Sequence, residues 1–187
     1  MNLLTKTLAL AITALTLQAQ AAPYQAIVPA KSSVTFSYKQ MGVAIDGRFK
    51  KFAAQVNFDP AKADAAKASF DVELASVDAG SSEADDEVVT KSWFNAAAFP
   101  KATFVAKQIK QTAPNQYDVT GTLSIKGQTR EVKFPMKHSA QDKDGVLTGG
   151  FVIKRGDFNI GEGMWAKFDV VANDIQVNFS LTAQPGK

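Results

Sequence analysis

From Ser32 to Pro60 the chain reads Ser-Ser-Val-Thr-Phe-Ser-Tyr-Lys-Gln-Met-Gly-Val-Ala-Ile-Asp-Gly-Arg-Phe-Lys-Lys-Phe-Ala-Ala-Gln-Val-Asn-Phe-Asp-Pro, and the spacing of its apolar residues decides the fold. Val34, Phe36 and Tyr38 alternate with Ser33, Thr35, Ser37 and Lys39. After a bend at Met41-Gly42, Val43, Ile45, Gly47 and Phe49 share one side. Phe52, Ala54, Val56 and Phe58 then alternate with Ala53, Gln55 and Asn57. Successive side chains of a strand point to opposite faces, so this period of two predicts strands with one apolar face.

The same period recurs on either side. Tyr24 to Val28 predicts a short first strand. Asp59-Pro60 stops the opening run, and Asp as a cap with Pro in the first turn predicts a short helix over 61–68. Ser69 to Val77 alternates with Phe70, Val72 and Leu74 on one face. Ser82 with Asp85 resembles a capping box and predicts a helix from Glu83 to Asn95, ended by the bend at Phe99-Pro100. From Lys101 onward the pattern is strands again: Ala102 to Ile109, then Tyr117 to Ile125, then Val132, Phe134 and Met136. Lys126-Gly127-Gln128 and Asp142-Lys143-Asp144-Gly145 are hairpin turns. Leu147 to Ile153 follows, then a Gly-rich loop from Gly156 to Gly163, then a last strand from Ala172 to Ala183. The expected fold is mainly β: one antiparallel barrel of about eight strands with one or two short helices. A closed barrel of that size has room for side chains or for one small ligand.

The first 21 residues are not read as part of that fold. Lys6 is followed by the apolar run Leu8 to Leu17 and by Ala19-Gln20-Ala21, the pattern of a secretory signal peptide. The expected domains are thus a signal peptide over 1–21 and a single domain over 22–187. With Lys6 set aside, 20 basic residues face 18 acidic ones, no basis for a nucleic-acid surface. The chain has no Cys, so no disulfide and no lipid-bearing Cys after the signal. The expected destination is a soluble, exported compartment, the periplasm of a Gram-negative cell.

Signals for catalysis are sparse. His138, the single His, starts a polar stretch after Met136-Lys137, and a surface position is expected for it. A Ser-His-Asp triad needs a nucleophile beside such a His, and no motif supplies one. One His and no Cys do not make a transition-metal site. The cluster Glu83, Asp85, Asp86 and Glu87 lacks the alternating oxygens of a calcium loop and reads as a solvated helix start. No catalytic residue, metal or cofactor is expected. The informative feature is the 13 Phe, 2 Trp and 3 Tyr, which fall mainly on one side of successive strands. They either fill the interior or line a long apolar cavity, the usual form of a small-molecule site.

Several of these residues together resemble the YceI-like family. Ser33-Val34-x-Phe36 leads to Met41-Gly42-Val43, Gly47-x-Phe49, Phe52 and Phe58-Asp59-Pro60. Ser76-Val77-Asp78, Lys91-Ser92-x-Phe94 and Phe99-Pro100-x-Ala102-x-Phe104 match its middle. Gly121-x-Leu123-x-Ile125-Lys126-Gly127 and Arg155-x-x-Phe158-x-Ile160-Gly161 match its later part. The resemblance implies a lipocalin-like barrel that binds a polyisoprenoid, a quinone-like lipid or a fatty-acid derivative. It also implies a possible cytochrome b561-type membrane partner, and a homodimer is a further expectation. The Arg that many relatives carry before the helix is absent from Asp78 to Glu87. Face alternation gives the cavity candidates Phe36, Tyr38, Phe49, Phe70, Phe104, Phe134, Met136, Phe151 and Phe179. Trp93, Phe94, Phe158, Met164 and Trp165 are expected at the opening, and Arg48 and Arg155 at a head group. The competing readings are a hydrolase-like enzyme with His138 in the pocket, or a ligand-free partner of a membrane complex.

Overall fold

The structure, a computed structural model, describes residues 22–186. The expected signal peptide lies outside the described residues. Eleven strands form one antiparallel sheet: β1 (Tyr24–Ile27), β2 (Ser33–Gln40), β3 (Val43–Phe49), β4 (Phe52–Phe58), β5 (Lys67–Glu73), β6 (Val77–Asp78), β7 (Lys101–Ala113), β8 (Gln116–Ile125), β9 (Gln128–Gln141), β10 (Asp144–Lys154) and β11 (Asp174–Pro185). One α-helix, α1 (Ser82–Val88), and short 3-10 turns interrupt them.

The eleven strands make eight walls of a closed barrel, because three walls are broken in two. β1 and β2 are one wall, β3 and β4 the next, β5 and β6 the third. β4 pairs with β1 and β5, while β3 pairs with β2 and β6. The circle then runs through β7, β8, β9 and β10 to β11. β11 closes it by pairing with β2 along its first half (Phe179 opposite Val34) and with β1 at its end (Ala183 opposite Ile27). Pairing thins at two places: β9 and β10 pair only over Met136–Gln141 and Asp144–Gly149, and β3 meets β6 only at Arg48 and Phe49.

The breaks have local causes. Pro29 opens the turn between β1 and β2. The other two breaks are tied together: Lys50 N–H donates to the Ser76 carbonyl at 3.0 Å and Glu73 N–H to the Lys51 carbonyl at 3.0 Å. The Ser76 hydroxyl accepts from Lys51 N–H at 2.9 Å and donates to the Glu73 carbonyl at 2.7 Å. The expected strand Ser69 to Val77 therefore kinks after Glu73.

The helical expectations are corrected in detail. Asp59 does cap a turn, accepting from Ala61 N–H at 2.9 Å with Pro60 at its start, but Pro60–Ala65 is 3-10. The α1 cap is Ser81 rather than Ser82, and Asp85 turns back to accept from Ala79 N–H at 2.5 Å. The helix stops at Val88, not Asn95. Val88, Val89 and Thr90 are β-branched and lose side-chain freedom in a helix. The Thr90 hydroxyl donates to the Glu87 carbonyl at 2.7 Å, and Asn95 takes φ 50°.

Candidate functional site

The barrel has a filled end and a hollow end. At the filled end, Pro60–Ala65 crosses below the β4 terminus and brings the buried Ala63 against the core. Phe58 and Tyr117, each 1 % exposed, meet edge to face with ring centroids 5.2 Å apart. Tyr24 stacks on Phe58 and its hydroxyl lies 3.2 Å from His138 Nε2. His138 is thus not on the surface. The period of two through Val132, Phe134 and Met136 continues to it, inward, on β9. Burial pushes its pKa below the ordinary value, and burial likewise raises that of Tyr24.

Beyond this plug the lumen opens to a cavity of about 570 Å³, within the range of about 300–1,000 Å³ usual for small-molecule sites. Its wall is almost wholly apolar. Three glycines keep it hollow. Gly47 lies opposite Phe36 and Gly149 opposite Phe179, while Gly121 lies beside Phe104. A Cβ at 121 would sit 2.5 Å from the Phe104 ring, and one at 149 would sit 2.5 Å from the Phe179 ring. These rings lie down on the bare backbone of a neighbouring strand instead of standing into the lumen.

The hollow end is framed by α1, the turns after it and the segment from Arg155 to Val171. Ser81 and Glu83, both exposed, belong to the lining, so the lumen reaches the surface beside α1. Trp93 and Trp165 face one another with centroids 5.5 Å apart, and both indole N–H groups donate to Glu87 Oε1, at 3.1 and 2.8 Å. The Tyr38 hydroxyl donates to the Ala79 carbonyl at 3.0 Å, and burial, with the Asp85 charge behind it, raises its pKa. The other polar lining residues are Gln40 and Arg155 here and Gln55, Ser69 and Thr103 along the β4–β5–β7 wall.

Of the residues expected at the site, Phe36, Tyr38, Phe49, Phe70, Phe104, Phe134, Met136, Phe151 and Phe179 all border the cavity, as do Trp93, Phe94 and Trp165. Phe158 does not: at 2 % exposed it packs within the upper core beside Ile153 and Ile160. Met164 does not either, and at 86 % exposed it points to solvent.

Both expected head-group cations are engaged elsewhere. Arg48 stands on the outer face of β3, where its guanidinium pairs with Asp78 at 3.1 Å. Arg155 is 1 % exposed and acts as the hub of the upper frame. It donates to six backbone carbonyls: Ile160, Gly161, Trp165, Lys167, Val171 and Ala172, at 2.8 to 3.3 Å. Its guanidinium also lies over the rings of Trp93 and Phe168. Although it borders the cavity, its donors are committed to carbonyls, and burial lowers its pKa. The same frame is fastened by Lys126, whose ammonium meets Glu162 at 2.7 Å and the Asn159 carbonyl at 2.6 Å.

Glu87 was missed by sequence reasoning, which placed it in a solvated acidic cluster. The available signal was its position four residues after Glu83, which puts both on one side of α1.

Comparison with known proteins agrees with this architecture. The YceI-like domain model matches residues 25–183. A UPF0312 protein of Azotobacter vinelandii is 32% identical over 134 residues, 68% of this chain and 70% of the relative. The crystal structure of Burkholderia cenocepacia BcnA shares 41% identity and a TM-score of 0.82, covering 84% of this chain and 99% of that one. A polyisoprenoid binding domain from Saccharophagus degradans, implicated in plant cell wall breakdown, is alike in fold at 17% identity and TM-score 0.69, covering 89% and 99%.

Proposed function

The chain belongs to the YceI-like domain family, and we propose that it is an exported binding protein that shields a polyisoprenoid or another long-chain amphipathic lipid in its barrel, without chemistry of its own. The apolar cavity of about 570 Å³ carries this reading. Each methylene moved from water into such a wall contributes roughly 0.8 kcal/mol, so a long chain binds tightly without specific polar contacts. The polyisoprenoid binding domain of Saccharophagus degradans adds a likeness of fold alone. The leader-like residues 1–21 support export to the periplasm.

The head of the lipid then rests beside α1. The groups there are the Tyr38 hydroxyl, the Gln40 amide, the Ser81 hydroxyl and the carboxylates of Glu83 and Glu87. Two carboxylates with no uncommitted cation between them favour a neutral, hydrogen-bonding head such as a hydroxyl or a quinone ring over a phosphate. His138 is hydrogen-bonded to a tyrosine at the filled end and does not border the cavity, so no geometry favours a hydrolase.

The test is titration of delipidated protein with a long-chain isoprenoid quinone, followed by quenching of Trp93 and Trp165 fluorescence. Saturable quenching is expected, weakened at least tenfold by Val177→Phe, which adds bulk to the cavity wall. Absence of quenching, or equal affinity in the variant, would overturn the reading.

A further inference from the structure

The β2–β3 tip differs from every other hairpin tip in the described chain. Four such tips carry a non-Gly residue at positive φ: Met41 at 50°, Asn115 at 59°, Lys126 at 49° and Asp142 at 54°. That conformation suits Asn, Asp and Gly, and a long apolar side chain gains nothing from it. Three tips are polar. The fourth displays Met41, 77 % exposed, with Val43 beside it at 65 %. The tip is not loose, since Met41 N–H donates to the Val170 carbonyl at 2.7 Å and Ala172 N–H to the Lys39 carbonyl at 2.9 Å. It is thereby bolted to a second exposed apolar stretch, Phe168 and Val170. Arg155 anchors that stretch through the Lys167 carbonyl and the Phe168 ring.

Two features decide what covers this patch. Lys39 and Lys167 flank it, both exposed, and neither takes part in an ion pair among the described residues. The acid within it, Asp169, turns to the adjacent Val170 N–H at 3.0 Å. Apolar tips flanked by two unpaired ammonium groups match an anionic bilayer surface, where side chains enter the acyl boundary and lysines meet the head groups. The patch also adjoins the mouth, because Gln40, next to Met41, lines the cavity. We propose that Met41, Val43, Phe168 and Val170, with Lys39 and Lys167, form a docking surface for anionic membranes. It sets the barrel mouth against the bilayer, so that a lipid passes between the two without crossing water. The transfer clause rests on the lipid-binding reading; the docking itself does not.

The experiment is co-sedimentation of the purified protein with vesicles of phosphatidylethanolamine and phosphatidylglycerol in three-to-one ratio, and with vesicles of phosphatidylcholine alone. Uptake of N-phenyl-1-naphthylamine reports the cavity in parallel. The protein is expected to pellet with the anionic vesicles, at least tenfold less with the neutral ones, and less at raised salt. Met41→Ser with Val43→Ser, both exposed and outside the cavity wall, is expected to remain in the supernatant while taking up the dye as before. Should the pair of changes unfold the protein, Met41→Ser alone at the exposed tip carries the same expectation, and Lys39→Gln with Lys167→Gln should abolish the preference for anionic vesicles. Failure of the unaltered protein to pellet, or equal pelleting of the serine variants, overturns the proposal. So does a concentration-dependent dimer lost in those variants without vesicle binding, which would give the face to a second copy. Vesicle binding without dye uptake upholds the docking surface and counts against the cavity reading.

Discussion

At the filled end, Tyr24, Phe58, Tyr117 and His138 stand on one another and leave no space; at the hollow end, Phe36, Phe104 and Phe179 lie flat and leave a lumen. The residue types are nearly the same, and the alternation that supplies them is the same. What differs is what fills the space over each ring. At the filled end Tyr24 also lies on a glycine, Gly145, but Phe58, Tyr117 and His138 close the space beside it. At the hollow end Gly47, Gly121 and Gly149 take the ring down onto bare backbone. Shape then has to be maintained without a packed centre, and this falls to Arg155, Lys126 and Glu87, which lace the frame around the lumen. A barrel of aromatic residues is therefore a container or a solid according to whether further rings fill the space over those laid on glycine.

Single substitutions at either end separate the two. Phe58→Ala should act most strongly, because the site is fully enclosed by Tyr24, Tyr117 and His138. A loss of about 3–5 kcal/mol in urea unfolding is expected, as for other aromatic truncations in a packed core. Arg155→Lys tests the frame. Lysine has three donors where arginine has five in a fixed fork, so some of the six carbonyls lose their partner, at a cost of about 2–4 kcal/mol. Amide exchange should quicken over 155–171 in that variant and stay slow at the filled end.

A smaller effect distinguishes the two ends by pH. Burial lowers the His138 pKa below its ordinary 6.5, so the unfolded chain binds a proton that the folded chain refuses. The stability from this site is complete above that value. It declines as pH falls from about 6.5 toward the lowered folded value, and His138→Phe should flatten this part of a urea-midpoint profile. The smallest effect belongs to the outer surface. Arg48→Ala removes a largely exposed pair with Asp78, should cost about 0–1 kcal/mol, and should leave lipid uptake unchanged.

The barrel and most of its wall were legible because alternation is a local property. Phe36 and Tyr38 face inward for the same reason that Ser37 faces outward. The paired breaks at Lys50 and Leu74 were not legible, since each depends on hydrogen bonds to the other. Arg155 could not be placed either. A lone Arg in a glycine-rich loop has the sequence of an anion receptor, and its actual partners are carbonyls, which every residue carries. His138 was misplaced because Lys137 and Ser139 beside it are polar, although the period of two had already put it inside. Glu87 was hidden in a run of acids, and only the fold brings Trp93 and Trp165 to it.

Native mass spectrometry of protein purified from its own host, followed by solvent extraction, shows whether the hollow end holds a lipid. A long-chain lipid that co-purifies, leaves on extraction and is taken up again is the expected result. Protein that emerges empty, and takes up no isoprenoid quinone, isoprenoid alcohol or fatty acid added afterwards, would contradict the account.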